Sequence, residues 1–334
     1  MPVVLIATGG TIASTLGPDG RATPTLSGRD LLDRVLPRRT VGVEVVDLPV
    51  AGSWNLGTDG AVAVAMAVRQ AAADGADGVV MTHGTDVMEE TAWTCELLAR
   101  NAGIPVVLTG SMHHADDPHY DGPKNLADAL VAAGDQHAAG RGVMVCMDGE
   151  LHAARYVTKT HATAVDTFRS ANHPSLGLVD GQADDGVVSW SSPGAPRSPL
   201  VGDVPGGPVP ILMSHWDVDP ELVEASRHAG AIGFVVEAGG AGNVNERLVP
   251  PLLRAIGAGI PVVVASRCRG GQVEPIYGGP GGFGSLVDHG FVPSAGLTAG
   301  KARIALQLLL GPDPDRSTAV ATAARWFSEL GAQL

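Results

Sequence analysis

Short apolar runs recur along the chain, and segments with helical spacing separate them. In the first half, runs rich in β-branched residues predict buried strands at Val3–Ala7, Val43–Leu48, Val79–Thr82, Pro105–Thr109 and Val143–Met147. Ala- and Leu-rich segments predict helices at Thr58–Ala73, Glu89–Asn101 and Leu126–Ala133. Fully apolar strands that alternate with helices are typical of a parallel sheet covered by helices on both faces.

A stretch rich in proline and glycine interrupts this alternation. Residues Ser189–Pro210 hold six prolines and four glycines and show little periodicity, which is typical of an interdomain linker. The alternation then resumes, with predicted strands at Val209–Met213, Ile232–Glu237 and Pro261–Ala265 and predicted helices at Glu221–Ala229, Glu246–Ala258, Ala299–Leu310 and Ser317–Leu330. We therefore predict two α/β domains: a larger parallel-sheet domain over residues 1–190 and a smaller one over 209–334, joined by a linker at 191–208.

Composition and charge narrow the possible partners. The 334 residues include 22 Lys and Arg against 35 Asp and Glu, a net charge of −13. Such an acidic chain argues against nucleic acid or an anionic membrane as the main partner.

The three cysteines, Cys95, Cys146 and Cys268, are far apart and suggest neither a disulfide framework nor a zinc site. No apolar run approaches 18 residues, and the first residues lack the features of a signal peptide, so we expect a cytoplasmic protein.

Polar motifs follow several of the predicted strands. Ligands bind at the carboxyl ends of strands in open parallel sheets, so these positions are candidates for a site. Thr8-Gly9-Gly10-Thr11-Ile12-Ala13 follows the first strand, and Thr82-His83-Gly84-Thr85-Asp86 ends the third. Glycine lets backbone N–H groups turn toward a ligand, and a threonine hydroxyl becomes a nucleophile when a base takes its proton. A third motif, Arg155-Tyr156-Val157-Thr158-Lys159-Thr160, supplies a lysine that could act as this base. Either glycine motif alone is commonly only a helix cap, but the two together favour a site.

These motifs, in this order, resemble those of the bacterial type I/II L-asparaginase (asparaginase/glutaminase) family. The resemblance covers essentially the whole chain and also includes Leu108-Thr109-Gly110-Ser111-Met112, Asp121-Gly122-Pro123-Lys124-Asn125-Leu126 and Gly300-Lys301-Ala302-Arg303. It implies an amidohydrolase of asparagine catabolism that converts L-asparagine to L-aspartate and ammonia without a metal or an organic cofactor. It also implies a homotetramer built as a dimer of dimers.

The resemblance assigns roles to individual residues. It makes Thr8 the nucleophile, and it makes Thr85, Asp86 and Lys159 a second triad. It implies a substrate-binding set of Ser53, Trp54, Asp86, Ser111 and Asn243. Within this set Asp86 pairs with the substrate α-ammonium group, Ser53 binds the α-carboxylate, and Asn243 serves the pocket of a neighbouring subunit.

The chain departs from the family pattern in the lid that follows the first motif. The family usually has a lid tyrosine that hydrogen-bonds the nucleophile, but Ser14–Leu26 contains no tyrosine. Thr15, Thr23 and Thr25 are candidates to replace it. Trp54 stands where a well-studied branch has glutamine, which suggests either a reshaped pocket or plain packing.

Two further functions and one metal site are alternatives. The chain could be an asparaginase-like subunit of a tRNA-dependent amidotransferase, although its acidic charge and the lack of an appended basic domain count against this. It could also be a non-catalytic binder of an amino acid, although it retains the threonines, aspartate and lysine. His113, His114 and His119 lie near acidic residues at positions 116, 117 and 121, but solvated or capping roles are more common for such histidines, and we predict no metal.

Overall fold

An eight-stranded sheet organises the N-terminal part of the chain. The computed structural model describes residues 2–35, 42–48, 52–181 and 186–333, and the chain divides into two units, Met1–Arg197 and Ser198–Leu334. Each unit contains a sheet with helices, and the first unit is the larger. The predicted α/β fold class is confirmed.

The elements of the first unit alternate as the sequence predicts. Its strands are β1 (Val3–Ala7), β2 (Ser14–Leu16), β3 (Ala22–Pro24), β4 (Val43–Asp47), β5 (Gly78–Thr82), β6 (Val106–Thr109), β7 (Val143–Met147), β8 (Glu150–Ala153), β9 (Val157–Lys159), β10 (Phe168–Ser170), β11 (Gly177–Asp180) and β12 (Val187–Trp190). Its helices are α1 (Gly28–Leu32), α2 (Gly57–Ala73), α3 (Met88–Leu98) and α4 (Gly122–Gly134). Short 3₁₀ turns at Thr11–Ala13, Ser53–Asn55, Arg100–Ala102 and Gln136–Ala138 complete it.

The large sheet is parallel in one part and antiparallel in the other. Its order is β12-β11-β8-β7-β6-β5-β1-β4, and the pairs from β7 to β4 are parallel. The pairs from β7 to β12 are antiparallel. The sequence did not predict β8, β11 and β12, because β8 contains Glu150 and His152 and β11 alternates buried with exposed residues. A fully apolar run is typical of strands covered on both faces, and β8, β11 and β12 lack one. Strand β4 forms at the predicted place, but it is half-buried to exposed and not buried as predicted.

The carboxyl ends of the parallel strands form one edge of this sheet. Strands β5, β6 and β7 are buried along their whole length, which accounts for their uninterrupted apolar sequences. Helix α4 contacts β5 and β6, and its Ala129 and Ala133 are fully buried. Glycine-containing turns follow the strands at this edge, so the polar motifs identified in the sequence lie close together there.

The C-terminal unit has a smaller parallel sheet. Its strands β13 (Ile211–Met213), β14 (Phe234–Ala238), β15 (Val262–Ser266) and β16 (Val292–Pro293) pair in chain order. Its helices are α5 (Glu221–His228), α6 (Val249–Gly257), α7 (Phe283–Val287), α8 (Ala299–Leu310) and α9 (Ala319–Gly331). No helix within the described ranges is both long and apolar enough to span a membrane.

Two predicted helices divide in the structure. The segment predicted at Glu89–Asn101 is α3 followed by the 3₁₀ turn Arg100–Ala102, which ends at Gly103 with a φ of 78°. The segment predicted at Glu246–Ala258 begins with a 3₁₀ turn at Glu246–Leu248 before α6. Prolines occupy the first turn of α6, where the missing N–H groups cost no helical hydrogen bond.

Candidate active site

Two glycine turns at the carboxyl edge of the large sheet touch each other. Gly10, after β1, has a φ of 87°, a left-handed value that favours glycine. A Cβ atom on Gly10 would lie 2.5 Å from the backbone nitrogen of Gly84, after β5. A Cβ atom on Gly84 would lie 2.5 Å from Ser53 Oγ. Three segments that are distant in sequence therefore meet here, at an approach that leaves no room for a larger residue.

Thr85, Asp86 and Lys159 form a hydrogen-bonded group beside these turns. Lys159 Nζ donates to Thr85 Oγ1 and to Asp86 Oδ1, each at 2.9 Å. Thr85 is 6% exposed, whereas the Asp86 side chain is 55% exposed. The lysine thus joins a buried hydroxyl to a carboxylate that solvent or a ligand can reach.

Neighbouring side chains hold this group in position. Glu89, in the first turn of α3, accepts a hydrogen bond of 2.7 Å from the Lys159 backbone N–H. His83 is 1% exposed, and its ring nitrogens lie 2.7 Å from the Gly84 carbonyl oxygen and 3.1 Å from Thr91 Oγ1. Burial lowers the pKa of His83, which favours the neutral ring in the folded protein.

The two threonines of the first glycine turn differ in environment. Thr8 is 3% exposed, and its hydroxyl donates to the Thr82 carbonyl oxygen at 2.8 Å. Thr11 begins the 3₁₀ turn directly after Gly10 and is half-buried. Within the described part of the chain its hydroxyl has no recorded hydrogen-bond partner. Thr8 therefore ties β1 to β5, whereas the hydroxyl of Thr11 is available.

Four of the five predicted substrate-binding residues lie in this unit, and the three besides Asp86 differ in exposure and contacts. Ser53, 6% exposed, contacts the Gly84 turn. Ser111 follows β6 and is fully buried, and its hydroxyl donates to the His113 carbonyl oxygen at 2.7 Å. Trp54 is 69% exposed, and its ring lies over the backbone of Gly52.

The predicted lid is a β-hairpin. Strands β2 and β3 pair within it, and the hydroxyls of Thr15 and Thr25 lie 2.8 Å apart. These two threonines therefore bond to each other and do not take the place of a tyrosine beside Thr8. A contact from outside the lid was not predicted: Tyr120 donates from its hydroxyl to the Ile12 carbonyl oxygen at 2.6 Å.

Asn243 belongs to the C-terminal unit. It lies in the turn after β14, where the Gly239 N–H donates to the Asn243 carbonyl oxygen at 3.0 Å. Its Oδ1 atom is buried and has no hydrogen-bond partner among the described residues. A cavity of about 640 Å³ lies beside it within this unit, and Trp216 on its wall is 92% exposed.

The histidine-rich loop after β6 does not gather metal ligands. His113 Nδ1 lies 3.2 Å from Asp117, and the rings of His113 and His119 are 6.2 Å apart. In the residue ranges that the structure describes, no three His, Cys, Asp or Glu side chains are arranged to hold a metal ion. Asp121 instead organises the loop backbone, because it accepts hydrogen bonds from the N–H groups of Met112 and His113.

Family models match both parts of the chain. The model described as "Asparaginase, N-terminal" matches residues 2–191, and that described as "Glutaminase/Asparaginase C-terminal domain" matches residues 208–322. Together they cover most of the sequence.

Individual proteins are similar over nearly the same length. A probable L-asparaginase from Deinococcus radiodurans is 37% identical over 92% of this chain and 92% of its own. One of the subunits of a glutamyl-tRNA(Gln) amidotransferase from Methanobrevibacter smithii is 28% identical over 94% of this chain and 73% of its own. The crystal structure of a probable cytoplasmic L-asparaginase from Campylobacter jejuni superposes with a TM-score of 0.82 at 29% identity, covering 98% of this chain and 99% of the other.

Proposed function

Because the chain belongs to the asparaginase family, we propose that it is an enzyme that hydrolyses the side-chain amide of L-asparagine to L-aspartate and ammonia. The observation that carries the proposal is the contact of Lys159 Nζ with Thr85 Oγ1 and Asp86 Oδ1, 2.9 Å each, beside the touching glycine turns. Amide hydrolysis requires a nucleophile, a group that moves protons and donors for the developing oxyanion. The edge of the sheet offers all three.

The nucleophile that the geometry favours is Thr11 rather than Thr8. The resemblance implied Thr8, but this hydroxyl is buried and already donates to Thr82. Thr11 follows Gly10, and Gly10 packs on Gly84 directly before Thr85. Thr11 and Thr85 are thus each the residue after one of two touching glycines, which supports a proton path from the half-buried Thr11 hydroxyl to Thr85 and Lys159. We assign Thr8 a structural role.

The reaction follows from these positions. Thr11 Oγ1 attacks the amide carbon while its proton passes toward Thr85 and Lys159, and N–H groups of the glycine turns stabilise the oxyanion. The C–N bond breaks, the nitrogen takes the proton and leaves as ammonia, and an ester of Thr11 remains. Water then attacks the ester carbon, the C–O bond to Thr11 breaks, L-aspartate leaves, and a proton from the water restores the Thr11 hydroxyl. Asp86 binds the substrate α-ammonium group, and Ser53 with nearby backbone N–H groups binds the α-carboxylate.

Trp54 and Ser111 are the less direct members of the proposed substrate-binding set. The exposed ring of Trp54 stands beside Ser53 and can shape the rim of the pocket. The Ser111 hydroxyl donates to a backbone carbonyl oxygen within its own loop. The preceding residue, Gly110, packs against Thr85, because a Cβ on Gly110 would lie 3.4 Å from Thr85 Cγ2. Ser111 therefore supports the backbone that lies behind Thr85.

Asn243 is proposed to complete the pocket of a neighbouring subunit in a homotetramer built as a dimer of dimers. The cavity that Asn243 lines and the 92% exposed Trp216 on its wall support a surface that another copy covers. We also propose a cytoplasmic location, in keeping with the name of the similar Campylobacter protein.

Substitution of three threonines tests the chemistry. The assay is ammonia release from L-asparagine by purified protein. Thr11→Val and Thr85→Val should each lower kcat at least about 10³-fold, because catalytic residues that act as a unit lose most of their effect when any one of them is removed. Thr8→Val is the matched control. It should keep kcat within about threefold and lose roughly 1 kcal/mol of stability with its buried hydrogen bond. An inactive, folded Thr8→Val beside an active Thr11→Val would return the nucleophile to Thr8.

The same assay separates the alternative functions. The similarity to one part of an amidotransferase favours testing whether free asparagine suffices as substrate. Ammonia release by the protein alone supports the asparaginase. No release, with aspartate still bound, would favour a binder. Release that appears only with tRNA and a second protein chain would favour the amidotransferase.

A further inference from the structure

Hydrogen bonds connect the start of the lid to the loop between β6 and α4. The Ala115 N–H donates to the Ser14 carbonyl oxygen at 2.9 Å, and the Leu16 N–H donates to Asp116 Oδ2 at 2.7 Å. Tyr120 adds the bond of 2.6 Å from its hydroxyl to the Ile12 carbonyl oxygen. Ile12 in the turn and Ser14 and Leu16 in the lid are thus all held from one loop.

The Tyr120 ring is itself fixed. A Cβ on Gly122 would lie 2.4 Å from its Cε2, Cζ and Oη atoms, so the ring lies directly over that glycine at the start of α4. The Tyr120 N–H donates to the Asp117 carbonyl oxygen at 3.0 Å. The ring also packs against the buried core that contains Ile12. A side chain anchored in this way can hold its partner at a defined place.

The partner carbonyl belongs to the residue after Thr11. The turn Thr11–Ala13 is closed by hydrogen bonds to the Gly10 carbonyl oxygen from Ala13 N, at 3.0 Å, and Ser14 Oγ, at 2.9 Å. Both bonds lie inside the segment, and the N–H groups of Thr25 and Leu26 donate to the Ala13 carbonyl oxygen, at 2.8 and 3.0 Å, so the end of the turn is also held by the lid. The bond from Tyr120, 108 residues away, attaches the middle of the turn to the loop that precedes α4.

Resting on the proposed function, we propose that Tyr120 is a positioning residue: its hydroxyl, by holding the Ile12 carbonyl, sets the direction of the Thr11 hydroxyl toward the substrate. The lid of this chain has no tyrosine, so this support comes from outside it. Displacement of a reacting group by about 1 Å can cost on the order of 10²-fold in rate, so such a contact acts on kcat. Burial raises the pKa of Tyr120 to about 12, and the phenol remains a donor at neutral pH.

Tyr120→Phe keeps the ring and removes the hydroxyl. We expect kcat for asparagine to fall about tenfold, with the Kd for aspartate within twofold of wild type, because binding groups are untouched. Hydrogen exchange of the peptide covering residues 8–16 should become faster. Tyr277→Phe, at a 54% exposed tyrosine in the C-terminal unit, is the matched control and should change neither quantity.

Wild-type kcat together with wild-type exchange in Tyr120→Phe would overturn the inference, as would a lower Tm with kcat per folded molecule unchanged. Failure of the wild-type protein to release ammonia would instead contradict the proposed function, and the exchange experiment would still test the hold on the turn.

A second variant covers the case in which Tyr120→Phe does not fold. Replacement of Tyr120 by 3,5-difluorotyrosine keeps the ring and hydroxyl but lowers the phenol pKa toward neutrality. Arg34 and Asp121 are the charged groups beside this phenol and are unchanged in the variant. Ionisation removes the donor, so kcat should decrease at high pH along a limb that wild type lacks. A pH profile identical to that of wild type would overturn the inference.

Discussion

At the scale of single residues, burial decides which polar groups are available for chemistry. Thr8 and Thr11 are identical side chains in one glycine turn, but the hydroxyl of Thr8 is bonded inside the sheet. His83 is likewise held inside, between the Gly84 carbonyl and Thr91. Because the Gly84 carbonyl oxygen can only accept, a neutral ring that donates from Nδ1 leaves Nε2 to accept from Thr91, and His83 supports the Gly84 turn.

The buried His83 predicts a loss of stability in acid. Burial lowers its pKa in the folded state, whereas the unfolded chain has the usual value of about 6.5. Its contribution is therefore present above about pH 6.5 and decreases as the pH falls through the lower folded pKa, by at most about 1.4 kcal/mol per pH unit. Burial also lowers the pKa values of His152 and His173, which add to the effect.

Melting temperatures between pH 7.5 and 5 measure this effect. In His83→Gln the decrease in Tm between pH 6.5 and 5 should be smaller than in wild type. The decrease that remains should come from His152 and His173. His137→Gln, at an 81% exposed side chain, is the control. Equal slopes in wild type and His83→Gln would show that another group is responsible.

At the scale of elements, the site depends on two strand–turn units packed without side chains between them. Strands β1 and β5 are neighbours in the sheet, so the turns that follow them begin next to each other. Glycine at positions 10 and 84 allows the turns to touch. The catalytic threonines proposed here are each the next residue, so strand pairing and glycine packing together fix their separation.

Two glycine-to-alanine substitutions separate backbone strain from this packing. Gly10 and Gly20 both have left-handed φ values, 87° and 72°. A Cβ on Gly20 meets nothing within 4 Å, whereas one on Gly10 meets the Gly84 backbone. Gly20→Ala should therefore cost roughly 1 kcal/mol from the φ value alone. Gly10→Ala should cost at least about 3 kcal/mol and abolish turnover, because the turns must separate.

Denaturant unfolding and ammonia release check both variants. Similar losses of stability in the two variants, or full activity in a folded Gly10→Ala, would contradict the role given to the Gly10–Gly84 contact.

At the scale of the whole molecule, the proposed assembly concerns residues of both units. Lys159 belongs to the first unit and Asn243 to the second. If Asn243 serves a neighbouring copy, each pocket draws on two chains. Isologous symmetry then gives every dimer two such pockets.

Mixing two inactive variants tests this arrangement. Lys159→Met removes the proton-transfer group and should lower kcat by about 10²–10⁴-fold. Asn243→Ala should also be strongly impaired. After the subunits are unfolded together and refolded, half of the dimers are mixed, and one pocket in each mixed dimer is intact. We expect recovery of about a quarter of wild-type activity, and no recovery would place Lys159 and Asn243 in the pocket of the same chain.

The sequence by itself determined the α/β class, the parallel strands β1 and β4–β7 and the motifs that meet at their ends, because apolar runs and glycine turns are local signals. It also supplied Thr85, Asp86 and Lys159, which the structure brings within 2.9 Å contacts. Only the tertiary structure decided which threonine hydroxyl is buried, since Thr8 is bonded to a residue 74 positions away. It likewise revealed the contact of Tyr120 with Ile12, since a hydrogen bond between residues 108 positions apart leaves no signal in either segment. The antiparallel strands β8, β11 and β12 also emerged only in the structure, because their short sequences lack the fully apolar run of a strand buried on both faces.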